Sequence, residues 1–194
     1  MALYTRKGDT GTTKTFGCDQ RMSKSSMVAE ALGTLDECNS FLGVCKTDPK
    51  VKSPLLEGYS FADMIDWIQQ NLFIVQAHVA GAEKTIAKEK IIHMEQAIDA
   101  IEKELPPIKS FFVSGGTELA AKFDFARTLA RRAERRVVGV SEEAKFAGDE
   151  SLKDKKEIAP EILIFLNRLS SLLYALARFA NHRGGIQEAP PTYK

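Results

Sequence analysis

The sequence predicts an all-α protein, a five-helix bundle, and three observations carry that prediction. Apolar residues recur at three- and four-residue spacing in five separate stretches. No stretch alternates apolar and polar residues in the way of a half-buried strand. The stretches are separated by breaks rich in Gly, Pro and Ser, such as "SPLLEGYS" and "FFVSGGT". An antiparallel bundle is the economical way to bury five such faces in one core.

Taken in order, residues 1–23 are rich in Gly, Thr and Lys, lack a helical period and read as a loop or short extended arm. Residues 25–46 place Val28, Leu32, Leu35 and Leu42 near one face, with Ser25 or Ser26 as N-cap. Residues 61–82 repeat the pattern through Met64, Ile65, Ile68, Leu72, Val75 and Val79. A shorter helix over 88–104 is ended by Pro106 and Pro107. The glycines of "FFVSGGT" permit a tight turn before a fourth helix over 118–142. Residues 141–158, dense in lysine and acid, read as an exposed loop. The fifth helix opens at Pro160, a favoured first-turn residue, and closes near Gly184–Gly185. The tail 186–194 is expected to be mobile, and the whole chain, 1–194, to be one domain.

With 194 residues, 44% of them hydrophobic, the chain can bury a core without covalent staples. Its net charge of +1 argues against a globally basic nucleic-acid binder. Cys18, Cys38 and Cys45 form no paired framework and suit a reducing cytosol, so a cytoplasmic location is expected. The opening "MALYTRKGDTGTT" has no apolar signal-peptide core. The most apolar run, "ILIFLNRLSSLLYALARFA", is interrupted by Asn167, Arg168 and Arg178 and reads as a core helix, so no membrane partner is expected.

Charge is concentrated in "RTLARRAERR", residues 127–136. At roughly 100° per residue, Arg127, Arg131, Glu134 and Arg135 share one side. Leu129, Ala130, Ala133 and Val137 occupy the opposite side, and Arg132 and Arg136 lie on a separate flank. Glu134 is placed to pair with Arg131 three residues away. Such a face fits a solvated helix or a subunit salt bridge as well as a phosphate site, although guanidinium forks match phosphate oxygens where lysine does not. The opening "YTRKGDTGTTKTFG" adds glycines, hydroxyls and cations, the ingredients of a phosphate-cradling loop, without the spacing of a Walker A or Rossmann fingerprint.

Together "YTRKGDTGTT", "EALGTLDECNSFLG" and "RTLARRAERRVV", followed by "LIFLNRLSSLLYALARFAN", resemble the PduO-type ATP:cob(I)alamin adenosyltransferases, in that family's order and over most of the chain. The resemblance implies a helical bundle assembled as a homotrimer with active sites between subunits. It implies transfer of the 5′-deoxyadenosyl group of ATP to cobalt, with triphosphate released. It implies an ATP loop at Thr5, Arg6, Lys7, Gly8, Thr13 and Lys14, with Lys24 beside it. Further nucleotide contacts are implied at Arg131, Arg132, Ala133, Glu134, Arg135 and Asn167, with Arg127, Arg131 and Glu134 closest to the chemistry. Asp36 and Arg127 match a salt bridge on the corrinoid side of the subunit interface. Phe111, or Phe112 if the register slips by one, matches the aromatic that displaces the corrinoid's lower axial base. Arg6 stands where lysine is common, and Cys38 where an aliphatic residue is common.

On this reading ATP and cob(I)alamin, reached from cob(II)alamin, are substrates, and magnesium accompanies ATP. No acidic cluster marks a protein-made metal site. A reductase or flavin reductant and an adenosylcobalamin-dependent enzyme are the expected partners. Cobalt(I) is already a strong nucleophile, so the site needs positioning and leaving-group stabilisation more than acid–base groups. That suits a chain whose histidines, His78, His93 and His182, lie outside the matched motifs. A di-iron bundle would need Glu three residues before His, but Val75, Lys90 and Phe179 stand there. RNA binding lacks interleaved aromatics around 127–136. A non-catalytic corrinoid- or nucleotide-binding delivery protein would use the same arginines and remains the alternative.

Overall fold

The computed structural model describes residues 4–15, 21–146 and 157–193. Five helices make the bundle: α1 (Met27–Cys45), α2 (Phe61–Val79), α3 (Lys88–Glu104), α4 (Glu118–Phe146) and α5 (Pro160–Arg183). The longest of them, α4, packs along both α1 and α5; α3 lies against α5, and α2 against α1. The helix starts follow local chemistry. Ser26 accepts from the Ala29 N–H at 3.3 Å, which selects it over Ser25 as the cap of α1. Ser60 and Asp63 form a reciprocal capping box on α2, and those hydrogen bonds hold the Asp63 carboxyl below its ordinary pKa. Pro160 opens α5.

Two short ribbons depart from the all-helical expectation. In the N-terminal arm β1 (Thr12–Thr13) pairs antiparallel with β2 (Met22–Ser23). The break before α2 folds as β3 (Pro54–Leu56) against β4 (Tyr59–Ser60), turned at Gly58, whose φ is +74°. Segments of two or three residues are too short to display alternation, so the pattern could not reveal them.

Apolar residues from all five helices form one continuous core. Phe61, the first residue of α2, stacks on Phe123 at 5.8 Å and meets Phe179 at 5.9 Å, joining α2, α4 and α5. Cys38, in the position where an aliphatic residue was expected, is fully buried and acts as a small apolar filler. Burial, with Cys45 nearby, pushes its thiol up to about 12. By length and composition α5 could cross a membrane, but 67% of its most apolar window is buried within the bundle, as befits a core helix.

Helix α4 continues to Phe146, into the stretch expected as a loop, of which residues 147–156 lie outside the described residues, as does Cys18. The tail touches the bundle at 188–189. Glu188 pairs with the buried Arg178 at 2.9 Å, and the Ala189 carbonyl accepts the Val113 N–H at 3.0 Å. A buried guanidinium requires a carboxylate, and the tail supplies it.

The Phe61 contacts predict that Phe61→Ala costs about 3–5 kcal/mol, the usual range for a buried aromatic. Urea unfolding followed by far-UV circular dichroism checks this; a loss below about 1 kcal/mol would mean that the three-ring contact is not a keystone.

Candidate functional site

The buried stripe of α4 fixes where its arginines go. Ala126, Ala130, Ala133 and Val137 are fully buried against the neighbouring helices. The helix pitch then sends Arg132 and Arg136 toward α1, where they pair with Glu37 and, at 3.5 Å, with Glu30. It sends Arg127 and Arg131 toward a different surface, a cavity of about 780 Å³. This hollow is walled by Ser170, Ser171 and Tyr174 of α5 and by the 108–114 loop, including both Phe111 and Phe112. Phe111 is 80% exposed and projects without packing of its own. Phe112 instead lies beneath the Arg178 guanidinium, 5.1 Å from ring centre to charge.

Arg127 is half-buried. Its guanidinium sits 3.7 Å from Asp124 and 5.9 Å from the centre of the Tyr174 ring. Its Nε is buried with no hydrogen-bond partner, the nearest carboxylate being that of Asp124. Desolvation is the main cause of a raised Tyr174 phenol pKa, so that group stays a neutral donor near pH 7.

A second, separate cleft of about 370 Å³ lies in the N-terminal loop. Thr5, Lys7, Gly8, Thr13, Lys14 and Lys24 line it, as expected, together with Thr12 and Arg21. Its shape depends on a strained turn: Arg6 has φ +59°, and Gly11 has φ +76°. The Arg6 side chain turns over the Tyr4 ring and does not line the cleft. Arg21, to which the sequence reading assigned no role, staples the turn. It donates to Thr12 Oγ1 at 2.7 Å, to the Thr12 carbonyl at 2.8 Å and to the Lys7 carbonyl. A Cβ on Gly8 would stand 3.1 Å from Lys24 Nζ, so this cation sits directly over the loop.

The remaining expected residues are distributed differently. Glu134 accepts from Asn167 Nδ2 at 3.1 Å, so it braces α5 and does not pair with Arg131 as the helix spacing suggested. Ala133 has no exposed surface, because it belongs to the stripe that seats the helix; its contribution is spacing. Arg132 is engaged with Glu37 on another flank, and Arg135 is exposed. Asp36 lies in a third hollow with Phe73 and Gln76 of α2, and within one chain the carboxylate beside Arg127 is Asp124. Of the histidines, His78 contacts the Lys84 carbonyl at 2.5 Å and the Ala159 N–H at 3.1 Å; His93 packs on Trp67. Both serve the scaffold. Among the described residues no three His, Cys, Asp or Glu side chains gather as a metal site.

The bundle thus presents an arginine-lined cavity with a projecting aromatic and a separate cationic glycine–threonine loop. The sequence matches the cobalamin adenosyltransferase family over residues 3–180, and the chain belongs to that family. It is 39% identical to the corrinoid adenosyltransferase PduO of Citrobacter freundii over 94% of this chain, but spans only 50% of that relative's length. It is 36% identical to a corrinoid adenosyltransferase of Bacillus subtilis, covering 96% of this chain and 90% of that one. Among solved structures it is similar to a phenylalanine-to-alanine variant of a PduO-type ATP:corrinoid adenosyltransferase from Lactobacillus reuteri complexed with cobalamin and ATP. The TM-score is 0.82 at 29% identity, with 98% and 99% of the two chains covered.

Arg21→Ala is expected to speed amide hydrogen exchange across residues 7–13 by at least about tenfold while leaving the thermal midpoint nearly unchanged, since only the loop opens. Exchange mass spectrometry reads this out, and unchanged protection would remove Arg21 from the staple role.

Proposed function

We propose that this chain transfers the 5′-deoxyadenosyl group of ATP to the cobalt of cob(I)alamin, forming adenosylcobalamin and releasing triphosphate. The observation that carries the reading is a single cavity that sets Phe111 opposite Arg127 and Arg131. An apolar ring and a paired cation wall suit a substrate with a flat corrin face and a reaction whose leaving group is a polyanion. The cobalt electron pair attacks C5′ of the ribose. The bond from C5′ to the triphosphate oxygen breaks, and the oxygen departs with that pair. No proton is transferred, which is consistent with the scaffold roles of His78 and His93. Arg131, aided by Arg127, neutralises charge that grows on the leaving oxygen, while Glu134 orients Asn167 beside it. Phe111 occupies the lower axial side of cobalt. Losing an axial donor favours the reduced four-coordinate metal, because axial ligation is a main lever on potential.

The nucleotide is held by the N-terminal cleft of one copy and the arginine face of the next. The cleft and the large cavity share no lining residue within one chain, which supports sites made between subunits, and the assembly proposed is a homotrimer. In the same assembly Asp36 meets the guanidinium of Arg127 from a neighbouring copy. Magnesium arrives on the triphosphate oxygens, since the described residues provide no cluster to hold it. A one-electron reductant supplies cobalt(I), an adenosylcobalamin-dependent enzyme consumes the product, and the expected setting is the cytoplasm.

An anaerobic assay with ATP and chemically reduced cobalamin tests the reading, through growth of the Co–C product spectrum and stoichiometric triphosphate. Tight binding of both ligands without turnover would favour the delivery-protein alternative. Arg131→Ala is expected to lower transfer by at least about 10²-fold with the fold intact, the typical cost of one preorganised charge donor. Phe111→Ala is expected to lose most activity from cob(II)alamin, to keep more when cobalt(I) is supplied, and to change ATP affinity little. Loss on Phe112→Ala alone would move the axial role to that residue.

A further inference from the structure

Phe111 is 80% exposed, so neighbouring side chains do not fix its ring. Its position must come from the backbone of the loop that carries it, and that backbone is tied down from outside the cavity. Asp124 accepts the Gly115 N–H at 3.0 Å. Asn181 takes the Thr117 N–H at 2.9 Å and donates to the Gly115 carbonyl at 2.8 Å. Between them Gly116, at φ +110°, passes so close that an added Cβ would fall 2.3 Å from Asn181 Oδ1.

The start of the loop has a different anchor. Arg178 donates to the Pro106 carbonyl at 3.0 Å and covers the Phe112 ring. The same guanidinium holds Glu188 at 2.9 Å, and the next residue, Ala189, accepts the Val113 N–H. The Arg178 side chain is 5% exposed and that of Glu188 16%. A pair this dry breaks at a cost that a surface pair does not carry, because the remaining guanidinium is left buried without its counter-charge.

We infer that Arg178 and Glu188 are positioning residues for the aromatic loop, the ion pair docking the C-terminal segment as a strap that holds Phe111 at its place in the cavity. The inference rests on the proposed reaction only for what Phe111 does there. The ring acts on cobalt, and the strap acts on the ring. Nucleotide binding at the distant N-terminal cleft is independent of it.

The test uses the full-length protein with Glu188→Ala and the milder Glu188→Gln, each alone and combined with Phe111→Ala. Hydrogen exchange without ligands is read first. Read well below its lowered thermal midpoint, Glu188→Ala is expected to raise exchange over 110–117 more than over the five helices. With ATP and cob(II)alamin, the four-coordinate cob(II)alamin signal is expected to fall by about tenfold or more. ATP affinity is expected to stay within about twofold, and Glu188→Gln to be intermediate. In the Phe111→Ala background Glu188→Ala is expected to add nothing, because the strap has lost the group it positions. Equal damage in both backgrounds, a parallel loss of ATP affinity, or unchanged exchange over 110–117 would each overturn the inference. If the parent itself forms no four-coordinate signal, the proposed reaction fails, while the exchange result still decides whether the strap holds the loop.

Discussion

The seating of α4 is the constraint on which the site depends. Ala126, Ala130 and Ala133 are small and fully buried, so α4 can approach both α1 and α5 closely. Once that stripe is in place, every arginine between 127 and 136 has its direction set by helix pitch. Two are drawn into ion pairs that fasten the helix to α1. Two others, Arg127 and Arg131, line a cavity. A larger side chain at 130 or 133 would shift the axis and rotate the cations away from the cavity wall. The buried alanines therefore belong to the site through geometry.

The cavity's opposite wall follows another rule. A helix presents its side chains at fixed angles, but a loop does so only when its backbone polar groups are occupied. In the 106–117 segment, side chains of α4 and α5 and the Ala189 carbonyl of the tail occupy backbone groups of Pro106, Val113, Gly115 and Thr117. An irregular stretch thereby acquires the definition of a regular element, and an exposed aromatic can be offered to solvent without being free to wander.

The helices were legible because their signals are local. The serines before α1, the proline opening α5 and the three- and four-residue apolar spacing place their ends within a few residues. The division of the arginine helix into a core stripe and two charged flanks was legible for the same reason. What escaped depends on partners remote in sequence or on conformations that leave no pattern. Arg178 looks like a polar interruption of an apolar helix until Glu188 and the Pro106 carbonyl are seen around it. Glu134 appeared to face Arg131 at the right spacing, yet Asn167 from α5 meets it instead. Arg21 works through backbone carbonyls, to which spacing gives no clue. The different settings of Phe111, exposed, and Phe112, under Arg178, likewise could not be read from two adjacent phenylalanines.

The division of labour between the two clefts has a physical consequence for the proposed chemistry. A cationic loop that binds a nucleotide by itself would hold triphosphate as tightly as ATP and would be slow to release it, since uniform binding does not favour the transition state. In the proposed reaction the loop contributes ground-state binding, and the separate wall of Arg127 and Arg131 meets the charge that grows on the leaving group. Fixed charge, fixed spacing and a ring held by its loop are sufficient equipment for a substitution in which the nucleophile arrives already activated.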